Sequence, residues 1–149
     1  MPVEIVRRAA GRRLPVRRLK RIALAILQIT GQLDAELSIA LIGNAEMQAL
    51  NARYRAKDYC TDVLSFPVEG RLPQSVPLLG DVIISVEKAA EQAKERRRSL
   101  EQEVITLLIH GVVHLMGYDH ERSARDSRIM GRVEKKVRRR LCELGLLEV

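Results

Sequence analysis

The sequence predicts an α+β domain in which a small mixed sheet of about four strands is covered by about five helices. Some segments alternate apolar and polar residues as strands do, and in others apolar residues recur at the helical spacing. These segments follow one another in the order β-α-β-α-β-β-α-α-α, which is typical of such a domain. Hydrophobic content of 46% and charged content of 30% over 149 residues fit a folded protein, so we expect residues 1–149 to form a single domain.

Two strands and two helices come first. Residues 2–8 alternate as a half-buried strand does. From Val16 the apolar side chains recur every three or four residues, which predicts a helix. Residues 36–42 again alternate and predict the second strand. Asn44 is then expected to cap a short helix that runs to about Tyr54, because its side chain can accept a hydrogen bond from the first helical turn.

Two further strands flank the one obvious loop. After a polar and irregular stretch, residues 63–66 predict a short strand that Pro67 ends. Proline and glycine are concentrated in residues 67–79, which predicts a loop. Residues 80–86 are rich in valine and isoleucine, which predicts a buried strand.

Three helices complete the predicted domain. A charged helix is expected over residues 87–97. Ser99 and Gln102 form the sequence of a capping box, which predicts the start of the next helix. That helix, residues 100–116, is apolar nearly all round and should therefore be central and buried. A basic helix follows over about residues 124–144.

All three histidines of the chain lie in one short stretch, His110-Gly-Val-Val-His114-Leu-Met-Gly117-Tyr-Asp-His120. Residues four apart lie about 40° from each other around a helix, so His110 and His114 project from one face. Gly117 can adopt a left-handed conformation that ends the helix and returns His120 toward the same point. Three converging imidazoles, with a fourth position left to water or substrate, describe a catalytic zinc site. The pattern predicts one Zn²⁺ per chain, bound by His110, His114 and His120 on and after a buried helix.

The histidine spacing matches the HExxHxxGxxH pattern of metzincin peptidases at every position but one. Those enzymes carry a glutamate, their general base, directly after the first histidine. Gly111 stands at that position here and cannot transfer a proton. The scaffold of the metal site is therefore predicted without the peptidase base, and a zinc metallopeptidase-like hydrolase is kept as an alternative.

The net charge and the aromatic content indicate what kind of partner the protein binds. A net charge of +7 favours a polyanion such as nucleic acid. With three Tyr, one Phe and no Trp, a platform that stacks several bases is not expected, so backbone charge and shape would dominate recognition. No stretch approaches the ~20 apolar residues of a membrane helix, so membrane contact is not expected. The basic start of the chain would also fit an organelle transit segment, but a strand is already predicted there, and we therefore expect a cytoplasmic protein. Cys60 and Cys142 are expected to be thiols rather than a disulfide, with Cys142 in the core.

A second group of polar residues precedes the third strand, namely Arg55, Lys57, Asp58, Thr61, Asp62 and Ser65. By themselves they would also fit a polar connector with turn-forming side chains. Together with Leu79-Gly-Asp81 and the histidine stretch, however, they closely resemble the bacterial YbeY family of endoribonucleases, also called rRNA maturation factors. The resemblance spans roughly residues 40–135, and the three blocks occur in the order of the family.

This resemblance implies a metal-dependent endoribonuclease, specific for single strands, that matures the 3′ end of small-subunit (16S) rRNA and acts in ribosome quality control. RNA, chiefly rRNA and ribosomal particles, would be its partner. The resemblance also implies zinc at His110, His114 and His120, and it matches Arg55 with the functional arginine of the family. Cys60 departs from the proline or small residue of many members, which leaves the local turn open.

Three neutral ligands would leave the zinc with its double positive charge, which suits an anionic phosphodiester. The nucleophile could be water or the 2′-hydroxyl of the RNA, since Gly111 supplies no base. We hypothesise that Arg55 is catalytic and clamps the phosphate oxygens as negative charge builds. Lys57 and Ser65 are predicted to bind substrate. An RNA-binding assembly factor with a structural zinc is the remaining alternative.

Overall fold

The computed structural model describes residues 3–8, 14–57, 61–67, 78–118 and 123–147. Within them it contains four strands and five helices, in the order β1 (Val3–Arg7), α1 (Val16–Ile29), β2 (Glu36–Ile42), α2 (Asn44–Arg55), β3 (Val63–Pro67), β4 (Leu78–Ser85), α3 (Val86–Glu95), α4 (Leu100–Leu115) and α5 (Ala124–Glu143). This order confirms the predicted α+β fold, and the boundaries differ from the predicted ones by no more than two residues.

The strands form one mixed sheet in the order β1-β2-β4-β3. The first three of these strands are parallel, whereas β3 pairs antiparallel with β4. In the described part of the chain β3 is therefore an edge strand, with one side of its backbone not paired to another strand. The candidate functional site lies along this edge.

Helices cover both faces of the sheet. The main core lies on one face and joins β1, β2 and β4 to α1, α3, α4 and α5. A smaller core lies under α2, where Met47 packs with Ile42 and Leu64. Cys142 is partly buried against the main core, as predicted, and Cys60 lies outside the described residues. Among the described helices, none is both long and apolar enough to cross a membrane.

Helix α4 is the centre of the main core. It contacts α1, α3, α5, β3 and β4, and the side chains of Val104, Leu108 and Val112 are completely buried. The predicted capping box is present: the Ser99 hydroxyl accepts from the Gln102 N–H at 3.1 Å, and the Gln102 side chain accepts from the Ser99 N–H at 2.9 Å. A helix that is fixed at its start and packed on five neighbours holds its side chains in defined positions.

One acidic side chain lies inside this apolar helix. Glu103 is completely buried, and its carboxylate is 2.5 Å from the Arg96 guanidinium and 3.6 Å from that of Arg98. A buried carboxylate requires such partners, because an uncompensated charge in the interior costs several kcal/mol. The ion pairs join α4 to the turn after α3, and the nearly uniform apolar pattern of the helix did not predict them.

The predicted cap of α2 is wrong. Asn44 is the first helical residue, and Gly43 occupies the N-cap position without a side-chain hydrogen bond. The Asn44 N–H is accepted instead by the Glu87 carboxylate at 2.9 Å, while the Ser85 hydroxyl donates to the Asn44 side-chain oxygen at 2.6 Å. A side chain from α3 thus satisfies the first N–H of α2, a tertiary contact that local sequence does not reveal.

Candidate active site

A cavity of about 670 Å³ lies along the edge of β3, between α4 and the end of α2. Five of the six residues predicted for the site line it, namely Arg55, Lys57, Ser65, His110 and His114. His120, the third predicted metal ligand, lies outside the described residues. The fold therefore brings together polar residues that are separated by up to about sixty positions in the sequence.

Each of the two described histidines is held through the same ring atom. His110 Nδ1 lies 3.2 Å from a carboxylate oxygen of Glu134 on α5, and His114 Nδ1 lies 2.9 Å from the Tyr118 carbonyl oxygen. A carbonyl or carboxylate oxygen accepts, so each imidazole donates from Nδ1. Nε2 is then the ring atom through which each histidine would bind a metal.

The turn after α4 makes the second of these contacts. Gly117 has a φ of 104° and donates its N–H to the His114 carbonyl at 3.0 Å. The helix ends there, as predicted, and the chain turns back so that the Tyr118 carbonyl reaches the His114 ring. Within the residues that the structure describes, no group of three His, Cys, Asp or Glu side chains is placed to hold a metal.

The two histidines nevertheless fit a zinc ion. Metal-binding imidazoles characteristically donate their second ring N–H to a carboxylate or a backbone carbonyl, which fixes the tautomer and the ring orientation. His110 and His114 have one partner of each kind. A catalytic zinc site requires a third protein ligand, and His120 stays the prediction for it.

Glu134 also shifts the pKa of His110. Its hydrogen bond raises the pKa of His110 above the ordinary value, although burial of the ring acts in the opposite direction. The negative charges of Glu134 and Asp62 raise this pKa further. A ring made more basic in this way is also a stronger metal ligand.

Sequence reasoning missed Glu134. The only local signal is that it is the single acidic residue between Asp126 and Glu143 in an otherwise basic helix. That isolation does not reveal where the carboxylate points, because the direction depends on how α5 packs on α4. Thr106 and Arg96 also line the cavity and were not predicted.

Gly111 is explained by close packing of α4 on the sheet. A Cβ atom at this position would lie 2.7 Å from a methyl carbon of Val82 and 3.2 Å from the Ser65 hydroxyl. The Ser65 hydroxyl donates to the Gly111 carbonyl at 3.1 Å, so Ser65 also fastens β3 to α4. There is no room for the glutamate that metzincin peptidases carry here, and this argues against peptidase chemistry.

We expect Gly111→Ala to destabilise the protein by about 1–3 kcal/mol, because the added methyl group must push α4 away from β4. Gly131→Ala on α5 is the matched control, since nothing lies within 4 Å of a Cβ added there. The control should stabilise by about 0.5–1 kcal/mol through the better helix propensity of alanine. Urea unfolding of both variants measures the difference. A Gly111→Ala protein as stable as the parent would contradict the close approach.

Arg55 and Lys57 reach the cavity from the end of α2. Arg55 is the last helical residue, and Ala56 adopts the left-handed conformation, with a φ of 56°. The Lys57 N–H donates to the Asn51 carbonyl at 3.3 Å and closes the helix end. Arg96 also lines the cavity but is paired with Glu103 at 2.5 Å, and the carboxylates of Asp62 and Glu134 lie on the same lining. The charge of the cavity is therefore mixed, with Arg55 and Lys57 at the end of α2 as the cations that can attract a phosphate.

Comparison with known proteins identifies relatives over most of the chain. The family model described as Endoribonuclease YbeY matches residues 7–142. The chain is 49% identical over 127 residues to a protein from Anaeromyxobacter sp. (strain Fw109-5) named Endoribonuclease YbeY, covering 85% of this chain and 65% of that one. A protein of the same name from Sulfurihydrogenibium sp. (strain YO3AOP1) is 43% identical over 127 residues, which cover 85% and 84% of the two chains.

A solved structure is also similar. The solution structure of a protein from Thermotoga maritima matches with a TM-score of 0.64 at 26% identity, covering 96% of this chain and 91% of that one. Some relatives are longer than the matched region: the chain spans 65% of the Anaeromyxobacter protein and 62% of a relative from Alkaliphilus oremlandii (strain OhILAs) that is 54% identical.

Proposed function

Because the chain belongs to the YbeY family of endoribonucleases, we propose that it is itself a zinc-dependent endoribonuclease that cleaves single-stranded RNA. The observation that carries the proposal is the pair of imidazoles on α4, each held through Nδ1 at the wall of a cavity that Arg55 and Lys57 also line. Zinc bound by His110, His114 and His120 would supply Lewis-acid polarisation of a phosphate oxygen.

Side chains of the cavity bind the substrate and stabilise the charge that develops during cleavage. Arg55 donates two parallel N–H bonds to the nonbridging oxygens of the scissile phosphate and stabilises the negative charge that builds there. Lys57 holds a neighbouring phosphate as a point charge. The 2′-hydroxyl oxygen forms the new bond to phosphorus as the P–O5′ bond breaks, and the hydroxyl proton passes through solvent water to the leaving 5′ oxygen.

The nucleophile is the RNA 2′-hydroxyl in this proposal, since Gly111 leaves no room for the carboxylate that activates water in the peptidases. Incubation of the zinc-loaded chain with single-stranded and duplex RNA tests both points. We expect cleavage of the single strand only, with 2′,3′-cyclic phosphate ends. Products with 5′-phosphate and 3′-hydroxyl ends would reject internal attack, and intact single-stranded RNA would reject the nuclease.

We further propose that the physiological substrate is rRNA in ribosomal particles in the cytoplasm, near the 3′ end of 16S rRNA. The resemblance to the family supports this, and so does the net charge of +7, which favours association with a polyanionic particle. Purified small-subunit particles with precursor 16S rRNA should be cut near that end by the zinc-loaded chain. Cleavage spread evenly over the exposed rRNA would contradict the proposed target.

Glu134→Gln should weaken zinc binding by about tenfold or more, because loss of the carboxylate charge lowers the basicity of His110 and loosens its ring. Glu143→Gln is the matched control. It lies on the same helix, and its carboxylate pairs with Arg140 at 2.6 Å on the exposed surface. Competition with a chromogenic zinc chelator measures both affinities. If the two variants bind zinc equally well, Glu134 does not position His110 for the metal.

A further inference from the structure

An aromatic pair, of which one ring is exposed and one partly buried, lies beside the cavity. The rings of Tyr54 and Phe66 are 5.4 Å apart between centroids and meet edge to face, with 68° between their planes. Phe66 lines the cavity, whereas Tyr54 stands outside it with 57% of its surface exposed. In a chain with three Tyr, one Phe and no Trp, this concentration of aromatic surface next to the candidate site requires an explanation.

Packing contacts hold both rings of the pair in place. Phe66 packs against the small core that Ile42, Met47 and Leu64 form under α2. Tyr54 lies on the last turn of α2, immediately before Arg55. The guanidinium carbon of Arg53 is 5.3 Å from the centre of the Tyr54 ring. A flat, polarisable surface is thus held at the rim of the cavity, with positive charge on both neighbouring residues.

We propose that Tyr54 stacks on one nucleobase of the RNA, on a nucleotide adjoining the phosphate that Arg55 clamps. This inference rests on the proposed function and names the residue that selects single strands. Consecutive helical side chains diverge by about 100°, so Arg55 lines the cavity while Tyr54 lies at its rim. The phosphate and the base of a nucleotide also point in different directions from the ribose. Arg55 can therefore bind the phosphate while Tyr54 stacks on the base.

Stacking on Tyr54 requires a base that has left its neighbours. Bases in a duplex are covered on both faces, whereas those of a single strand can be splayed onto an aromatic ring. The cation–π contact of Arg53 is weak at an exposed site, so its guanidinium can yield to the base or lie against it. Every base has a π face, and we therefore expect little sequence preference from this contact.

Tyr54→Ala should weaken binding of a short oligouridine RNA by roughly 5- to 150-fold, the range for loss of one stacked base. Tyr54→Phe should bind within about twofold of the parent, because the ring and not the hydroxyl makes the contact. Leu33→Ala is the matched control, since Leu33 is similarly exposed (50%) but lies in the connection between α1 and β2 and not on α2 beside the cavity-lining Phe66. Fluorescence anisotropy after rapid mixing with the zinc-loaded chain reports binding before cleavage proceeds.

An abasic scan of the same RNA tests whether a base is what Tyr54 contacts. One abasic position should weaken binding to the parent as much as Tyr54→Ala does, and the same substitution should have no further effect on the variant. An identical abasic profile for parent and variant would overturn the proposal.

The absence of tryptophan from the sequence allows a direct optical test. Tyr54→Trp introduces a single indole whose fluorescence should be quenched when oligouridine is added. Leu33→Trp should not respond. Equal responses of the two reporters would overturn stacking at Tyr54 even if the alanine variant binds weakly.

The outcomes separate this inference from the nuclease proposal. RNA binding that is independent of Tyr54, together with zinc-dependent cleavage, overturns the stacking role alone. Tyr54-dependent binding without cleavage supports stacking and overturns the nuclease. A zinc-loaded parent that does not bind RNA overturns both.

Discussion

Arg55→Glu should slow RNA cleavage by about 10²- to 10³-fold or more while leaving the zinc content of the protein unchanged. The guanidinium lines the cavity beside the histidines, where it can stabilise the charge that develops on the phosphate oxygens. Loss of one such preorganised donor has an effect of this size in other enzymes. Reversal of its charge also repels the substrate. Gel analysis of cleaved RNA and elemental analysis of the same preparation give the two quantities.

Arg21→Glu is the control for the general electrostatic effect. It makes the same charge change on an exposed position of α1 that does not line the cavity. We expect this control to lower cleavage only modestly and mainly at low salt, since exposed charges beyond a Debye length are screened. Loss of zinc from Arg55→Glu would show that Arg55 supports the metal site structurally. Equal activity of the two variants would show that Arg55 is not a clamp.

His114→Ala should abolish both zinc binding and cleavage in a protein that remains folded. The side chain lies at the cavity wall, and its hydrogen bond goes to the turn at Tyr118. Val104, Leu108 and Val112, which are completely buried, lie on a different face of α4 from His114. The fold should therefore persist without the imidazole.

Thermal unfolding separates this outcome from a structural zinc. The variant is compared with the metal-free parent, because bound zinc stabilises the parent by mass action. Similar midpoints are expected for the two proteins. An unfolded His114→Ala chain would instead support the assembly-factor alternative, in which the metal holds the fold together.

Much of the fold follows from local sequence because its elements have clear periodicity and end signals. Helix α4 is apolar nearly all round, begins at a capping box and ends at a left-handed glycine, and each of these signals is found in the structure. Asn44 shows where such reasoning fails. Asparagine is a good capping residue, but the N–H at the start of α2 is bound by the carboxylate of Glu87, which belongs to another helix.

The candidate site also contains some residues that local sequence predicts and others that it does not. His110 and His114 were predictable because four-residue spacing on one helix fixes their common face. The carboxylate of Glu134 and the pairing of Tyr54 with Phe66 were not, since each requires two elements that are distant in sequence. The sequence shows that Gly111 replaces the glutamate base of the peptidases. The reason why a glycine is needed there, the close approach of Val82, is seen only in the packed fold. His120 stays a prediction.

Removal and return of zinc measures the central claim most directly. The purified chain is stripped with a chelator and then titrated with zinc, and cleavage of single-stranded RNA is followed at each step. We expect no cleavage by the stripped chain, and activity that rises with bound zinc and saturates at one ion per chain. Undiminished cleavage by the metal-free chain would contradict the claim that a zinc ion on these histidines acts on RNA.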